Sequence, residues 1–330
     1  MLVLLKPVLY VLLLVAGFFG LIKGADLFVD GSSSIARQFK VPGVIIGLTI
    51  VAMGTSAPEL AVSTSAAMSG SNEIALSNVL GSNIFNLLVV LGFCALFNTI
   101  PVDKPILKRD FPLLLIVAVA VLGLTCYSAI MGGKLFAVPY TEEVGEVGRM
   151  TGIPLIIVFA IYIIVLIADA KKNKVEEEGE EPLPLWKSIL FILIGLVLIV
   201  AGGKAVVEGA KYIAAAAGMS ETLIGLTIVA VGTSLPELVT SIVAAKKGEV
   251  GMAVGNAVGS SIFNLMLILG VSSSIHPFGV NMASACDMLI QIGVIVLTYI
   301  FAATGKGINR GKGLLMLLIY VADIVFAAIR

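Results

Sequence analysis

A stretch of fifteen residues occurs twice in this chain. Ile46-Gly-Leu-Thr-Ile-Val-Ala-Met-Gly-Thr-Ser-Ala-Pro-Glu-Leu60 returns as Ile224-Gly-Leu-Thr-Ile-Val-Ala-Val-Gly-Thr-Ser-Leu-Pro-Glu-Leu238, with thirteen identical positions and a constant shift of 178 residues. The same shift carries Gly81-Ser-Asn-Ile-Phe-Asn-Leu87 onto Gly259-Ser-Ser-Ile-Phe-Asn-Leu265, and Gly24, Asp30 and Gly31 onto Gly202, Glu208 and Gly209. Chance similarity among apolar segments would keep Leu, Ile and Val; it would not hold Thr, Ser, Pro, Glu and Asn in register. The chain is a duplication, and its fold must be one plan used twice.

The medium of that fold follows from composition. Hydrophobic residues make up 59% and charged residues 13% of 330, against roughly 45–50% and about 25% in soluble domains. Too little polar surface remains to face water, so the solvent is lipid and a soluble enzyme is excluded. Crossing a hydrocarbon core of ~30 Å takes about 20 apolar residues. Runs of that kind stand at 8–28, 43–68, 75–97, 111–131, 153–169, 186–206, 221–245, 252–274, 287–303 and 312–328. Each should be helical, because lipid offers backbone groups no other partner. The first run, although preceded by Lys6, has no A-x-A-like cleavage site and matches an internal segment at 186–206, so it reads as retained. The expected architecture is an all-α polytopic membrane protein of ten transmembrane helices. Each copy has five, an odd number, so the second should be inverted relative to the first.

Residues 1–170 then form the first five-helix repeat, 171–185 a cytoplasmic linker and 186–330 the second repeat. The linker runs Lys171-Lys-Asn-Lys174, then Glu176–Glu181; it reads as solvated connector in preference to a calcium-sensing acidic patch. Basic residues orient the spans. With both termini outside a cell (inner) membrane, 14 of the 21 Lys and Arg fall in cytoplasmic connectors. Lys246 and Lys247 are among them, and their counterpart connector, 69–74, has no basic residue. A formal charge of zero indicates no nucleic-acid partner, and the lipid bilayer is the only obligatory one. One histidine, three scattered cysteines and no H-E-x-x-H or Gly-x-Gly-Asp motif leave zinc chemistry and intramembrane catalysis without residues. No cofactor is expected.

Ionisable residues inside spans are costly and mark function. Glu59 and Glu237 each follow Gly-Thr-Ser-x-Pro within a span. Proline removes a backbone donor and clashes with the preceding turn, and the adjacent glycine eases unwinding. A broken helix should therefore present hydroxyls, free carbonyls and a carboxylate at one depth, hard oxygens that suit Na⁺ or Ca²⁺. In the next span of each half Asn78, Ser82 and Asn86, and Asn256, Ser260 and Asn264, recur every fourth residue and form a polar stripe. For Asn78 and Asn256 interhelical hydrogen bonding is the simpler reading. Lys23 and Asp26, at helical spacing, read as a local pair or a snorkelling lysine.

At these motifs the chain closely resembles the cation/calcium antiporter superfamily, in its sodium/calcium exchanger branch. Gly54-Thr-Ser-Ala-Pro-Glu59 and Gly232-Thr-Ser-Leu-Pro-Glu237 look like that branch's paired signatures, completed by Gly81–Asn86 and Gly259–Asn264. The resemblance implies ten helices around a midplane site with four cation positions. Glu59 and Glu237 would be the shared charged ligands, joined by the hydroxyls of Thr55, Ser56, Thr233, Ser234, Ser82 and Ser260 and the carbonyls of Ala52 and Ala230. Asn86 and Asn264 would line the centre, and the first and sixth spans, with Gly24, Gly202 and Gly203, would slide together as a gate. Potassium-dependent relatives carry aspartate where this chain has Asn264, so no K⁺ co-transport is expected. The function this implies is a Na⁺/Ca²⁺ antiporter, with an electrogenic 3:1 cycle expected. H⁺/Ca²⁺ antiport is the nearest alternative and a cation channel a more distant one.

Overall fold

The computed structural model describes residues 2–70, 72–133, 138–174, 181–218 and 230–329. It is mostly helical. Seven helices among these residues are long and apolar enough to span a membrane, and a pair bent by 48°, α2 (Gly43–Thr55) and α3 (Ala57–Met68), makes an eighth when taken as one span. The seven are α1 (Leu2–Phe39), α4 (Ile74–Phe97), α7 (Arg149–Lys172), α8 (Leu185–Ala216), α10 (Val250–Ile275), α11 (Met282–Ala303) and α12 (Arg310–Ile329). The run at 111–131 is interrupted. Its backbone leaves the helix at Cys126 (φ −101°, ψ 18°), dividing it into α5 (Phe111–Thr125) and α6 (Tyr127–Met131). The run at 221–245 begins outside the described residues and continues as a turn at Ala230–Gly232 and as α9 (Leu235–Lys246). Residues 175–180 of the linker also lie outside them.

Helices alone do not complete the fold. Two connectors meet in an antiparallel ribbon of β1 (Glu143–Val147) and β2 (Phe278–Asn281), with an irregularity between Glu143 and Gly145. Gly145 sits so close to the Thr125 carbonyl that a Cβ there would overlap it. The ribbon thus packs onto the end of α5, where that helix stops. On the opposite connectors Ile100 and Ile308 form a single bridge.

The long α1 outruns its apolar stretch by 11 residues. Residues 29–39 carry Asp30, Ser32, Ser33, Ser34 and Arg37, which a hydropathy window discounts. Burial holds this end in helix: Ser32, Ser33, Ser34 and Ala36 are all buried. The Ser34 hydroxyl accepts from the Leu183 amide at 2.8 Å and lies 2.9 Å from Ser188 Oγ at the start of α8.

α1 and α8 cross with backbones in contact. A Cβ on Gly24 would lie 2.8 Å from the Gly195 carbonyl oxygen, and one on Gly195 would lie 2.7 Å from that of Gly24. Gly17 and Gly202 meet in the same way, at 2.8 and 2.7 Å. Further out, Gly209 packs on Tyr10 and Leu14 while Gly31 packs on Ser188 and Ile192. A shift of 178 residues turns each of these contacts into its mate. Small residues permit such approach where lipid gives helices no hydrophobic reason to associate.

This pair lies at the periphery with α7 and α12, and shows lipid Val8, Val15, Ile164, Val197 and Val321. Most of α4 and α10, by contrast, is inside the protein. Both widen into a π-turn, at Asn86–Val90 and Phe263–Ile268, a feature frequent at functional sites.

A candidate cation site

Two interruptions create the site. The Gly-Thr-Ser-x-Pro segments bend the chain where the sequence places them: Ser56 (φ −83°, ψ 7°) and Ser234 (φ −93°, ψ 6°) leave helical geometry, and Pro58 and Pro236 stand in the first turn of α3 and α9. Each new helix therefore starts with its glutamate in the first turn, where the N-terminal dipole favours a carboxylate. Both Glu59 and Glu237 are fully buried.

The two copies then serve each other. Ser234 Oγ donates to Glu59 Oε1 at 3.2 Å, and Ser56 Oγ donates to Glu237 Oε1 at 2.8 Å. Ser82 Oγ stands 3.0 Å from Ser234 Oγ. Thr55 Oγ1 lies 3.1 Å from Asn256 Oδ1, and Thr233 Oγ1 lies 3.4 Å from Asn78 Oδ1. Every one of these bonds joins a residue of one repeat to a residue of the other.

Asn78 and Asn256 act as braces. Asn78 Nδ2 donates to the Glu59 carbonyl at 3.3 Å and to Ser63 Oγ at 2.9 Å; Asn256 Nδ2 donates to the Glu237 carbonyl at 3.3 Å and to Ser241 Oγ at 2.9 Å. Ser63 and Ser241 are site-supporting residues that sequence reasoning missed. Their only signal is the 178-residue spacing, because a lone serine in an apolar helix looks like packing.

What remains unpaired is oxygen-rich. Glu59 Oε2, Glu237 Oε2, Ser260 Oγ and both amide atoms of Asn86 and of Asn264 are buried without a hydrogen-bond partner among the described residues. Buried polar atoms are ordinarily satisfied, so the free oxygen of each carboxylate has capacity for a further partner. Thr55, Ser56, Ser234, Ser82, Ser260, Asn86 and Asn264 are all buried, and Thr233 is half-buried. The Ala52 carbonyl accepts from the Ser56 amide at 3.0 Å and lies 3.4 Å from the Thr55 hydroxyl. Ala230 is described only as the first residue of its turn. No group of three or more His, Cys, Asp or Glu that could hold a metal occurs among the described residues. The donors are carboxylate, hydroxyl, amide and carbonyl oxygens, the set that alkali and alkaline-earth cations prefer.

A cavity of about 770 Å³ separates α3 from α8, lined by Ala57, Ala61, Ser65, Ser69, Val200, Lys204, Val207, Glu208 and Lys211, and it reaches Gly232, Thr233 and Pro236 beside the site. At the opposite end α1 lies against α9 and is tied to the α9–α10 turn by ion pairs.

Comparison with known proteins agrees with this geometry. The family model described as sodium/calcium exchanger protein matches residues 9–168 and 187–329. The chain is 37% identical over 313 residues to a putative antiporter, CaxA, of Alkalimonas amylolytica, covering 91% of this chain and 93% of that one. It is 34% identical over 339 residues to the sodium/calcium exchanger MaX1 of Methanosarcina acetivorans, covering 95% and 97%. Among solved structures, the sodium–calcium exchanger NCX_Mj superposes with a TM-score of 0.80 at 32% identity, covering 98% of this chain and all of the other.

Proposed function

The chain belongs to the sodium/calcium exchanger family, a family of transporters, and from that membership we propose that it exchanges Na⁺ for Ca²⁺ by alternating access at the Glu59–Glu237 site. The observation that carries the proposal is the pair of buried carboxylates, each held by a hydroxyl of the other repeat, with orphaned oxygens around them. Glu59 and Glu237 supply the fixed charge. Thr55, Ser56, Ser82, Thr233, Ser234 and Ser260 and the carbonyls of Ala52 and Ala230 complete the ligand shell, while Asn86 and Asn264 line its centre.

Exchange follows from electrostatics. An unloaded site would close around two carboxylates with no counter-charge, at several kcal/mol each. A loaded site neutralises them. The protein therefore changes faces with cations aboard, and movement of one species requires return of another.

The architecture proposed is ten spans in two inverted five-helix repeats within a cell (inner) membrane, both termini outside. Support comes from connectors that meet. The ribbon joins Glu143–Val147 to Phe278–Asn281, Ile100 bridges Ile308, and Arg37 pairs with Glu249. Each couple falls on one side of the membrane in the ten-span topology, the ribbon outside and the other two inside. Single cysteines at Ser71 and Gly248, in matching connectors, should react oppositely with an impermeant thiol reagent in intact cells. Equal accessibility would refute the inversion.

The cycle proposed is electrogenic, three Na⁺ for one Ca²⁺. Two Na⁺ would already balance the two carboxylates, and the hydroxyl and carbonyl oxygens have room in their coordination for a third. One net charge per turnover is worth roughly 2.3 kcal/mol per 100 mV of membrane potential. Proteoliposomes test the whole reading. ⁴⁵Ca²⁺ uptake should be driven by internal Na⁺ and by neither K⁺ nor choline, the K⁺ result following from the neutral Asn264. With K⁺ and valinomycin clamping the voltage at a fixed Na⁺ gradient, an interior-positive potential should accelerate uptake severalfold and an interior-negative one should slow it, because each turnover carries one net positive charge out with the Na⁺. Voltage-independent uptake would establish a 2:1 cycle, and uptake driven by a pH gradient without Na⁺ would establish proton exchange.

A further inference from the structure

We infer that Lys247 is a positioning residue that clamps the cytoplasmic side shut and thereby lowers the apparent affinity for ions arriving from that side. The inference rests on the exchange and orientation proposed above.

Lys247 follows α9 directly, at the turn into α10. Its Nζ lies 2.7 Å from Asp30 Oδ1 and 3.5 Å from Asp26 Oδ1, and donates to the Asp26 carbonyl at 3.1 Å. Two residues on, Glu249 meets Arg37 at 3.4 Å. Both contacts run between α1 and the α9–α10 turn. Lys23 also faces this cluster, 3.7 Å from Asp26.

The duplication supplies its own control. A shift of 178 residues carries Asp30 to Glu208, Asp26 to Lys204 and Arg37 to Ala215, and carries Ser69 and Ser71 to Lys247 and Glu249. Ser69 and Glu208 therefore correspond to Lys247 and Asp30, and they face each other across the open cavity. One pair of matched positions is an ion pair on one side of the protein and a hydroxyl and a carboxylate lining a cavity on the other.

An inward-open state inverts that arrangement. α1 leaves α9, α8 closes on α3, and Ser69 comes to Glu208 as Lys247 now stands to Asp30. Ser69 offers Glu208 a hydroxyl where Lys247 offers Asp30 an ammonium. Glu208 has a local partner in Lys211, 3.2 Å away on the same helix. Inward opening thus loses three inter-helix ion pairs, Lys247–Asp30, Lys247–Asp26 and Arg37–Glu249, and the matched positions Ser69, Ser71 and Ala215 supply no charges to replace them. A state populated only in part binds with an affinity reduced by its fraction. Ion pairs between half-exposed side chains are modest, so the expected bias from Lys247 is about fivefold.

Lys247→Ala tests this in full-length protein carrying a single reporter, Ala61→Cys, in the outer cavity. The native Cys94, Cys126 and Cys286 are buried and out of an impermeant reagent's reach. Labelling of the reporter should slow severalfold, the KM for cytoplasmic Ca²⁺ should fall about fivefold and that for external Ca²⁺ should rise. Lys247→Arg should restore all three. Ser69→Lys, which offers Glu208 the missing partner, should shift them in the direction of Lys247→Ala even if that variant fails to fold, and adding Glu208→Gln should cancel the shift. Unchanged labelling and unchanged KM on both sides, in variants that still exchange, would overturn the clamp. If the parent protein exchanges nothing, the exchange reading falls, and the labelling rates alone decide the clamp.

Discussion

Glu59→Gln and Glu237→Gln should each reduce Na⁺-driven Ca²⁺ uptake at least a hundredfold. Glutamine keeps the side chain's volume, and its carbonyl can still accept from Ser234 or Ser56, whose hydroxyls hold the native carboxylates. What disappears is one of two fixed charges at a site that must balance a divalent cation. Removing one partner from a buried charge pair costs roughly 3–5 kcal/mol, two to four powers of ten in binding. Stability should move the other way. A buried carboxylate without its cation burdens the fold, so either variant should melt at or above the parental temperature in cation-free detergent. Added Ca²⁺ should then raise the parent's melting temperature and leave the variant's unchanged. Near-normal uptake in either variant would remove the central proposal.

Gly24→Leu and Gly195→Leu should disable the protein by a different route. Even a Cβ at either position lands 2.7–2.8 Å from a carbonyl oxygen of the partner helix, and backbone cannot yield as a flexible side chain would. Overpacking of this kind costs about 1–3 kcal/mol, and a leucine has further atoms to place. Loss of exchange with a melting temperature lowered by several degrees is expected from each. Gly293→Ala, at an open position in α11 with nothing within 4 Å, should leave exchange intact and gain up to about 1 kcal/mol of helix propensity. If Gly24→Leu melts and transports like the parent, the close crossing of α1 and α8 is not a requirement of the fold.

The sequence announced the helix breaks and the polar stripes because each appears twice, and coincidence in duplicate is improbable for Thr, Ser, Pro, Glu and Asn. Hydropathy located the lipid-facing lengths of α1 and α8 and missed their continuations. Residues 29–39 are helical for reasons of burial, and the Ser34–Ser188 contact that fixes them joins residues 154 positions apart. The ribbon escaped for the same reason: Glu143-Val-Gly-Glu-Val147 is too short and too polar to read as a strand until Phe278–Asn281 lies beside it. Asn78 and Asn256 read more simply as packing than as ligands, and their bonds to Ser63 and Ser241 are of that kind. The π-turns at Asn86 and Phe263 had no sequence signal at all.

The crossed bonds of Ser234 to Glu59 and of Ser56 to Glu237 also constrain how the protein is made. A ribosome delivers residues in order, so Glu59 enters the membrane some 175 residues before the hydroxyl that will hold it exists. The first half cannot reach its final structure alone, whatever the strength of its own contacts. Its unfinished carboxylate must wait near water or another protein until the second half arrives, and insertion of that half closes both bonds together. Biogenesis therefore ends in a single concerted docking event, and a chain truncated within 186–330 leaves a lone, partnerless acid in the bilayer, a clear mark for quality-control proteases.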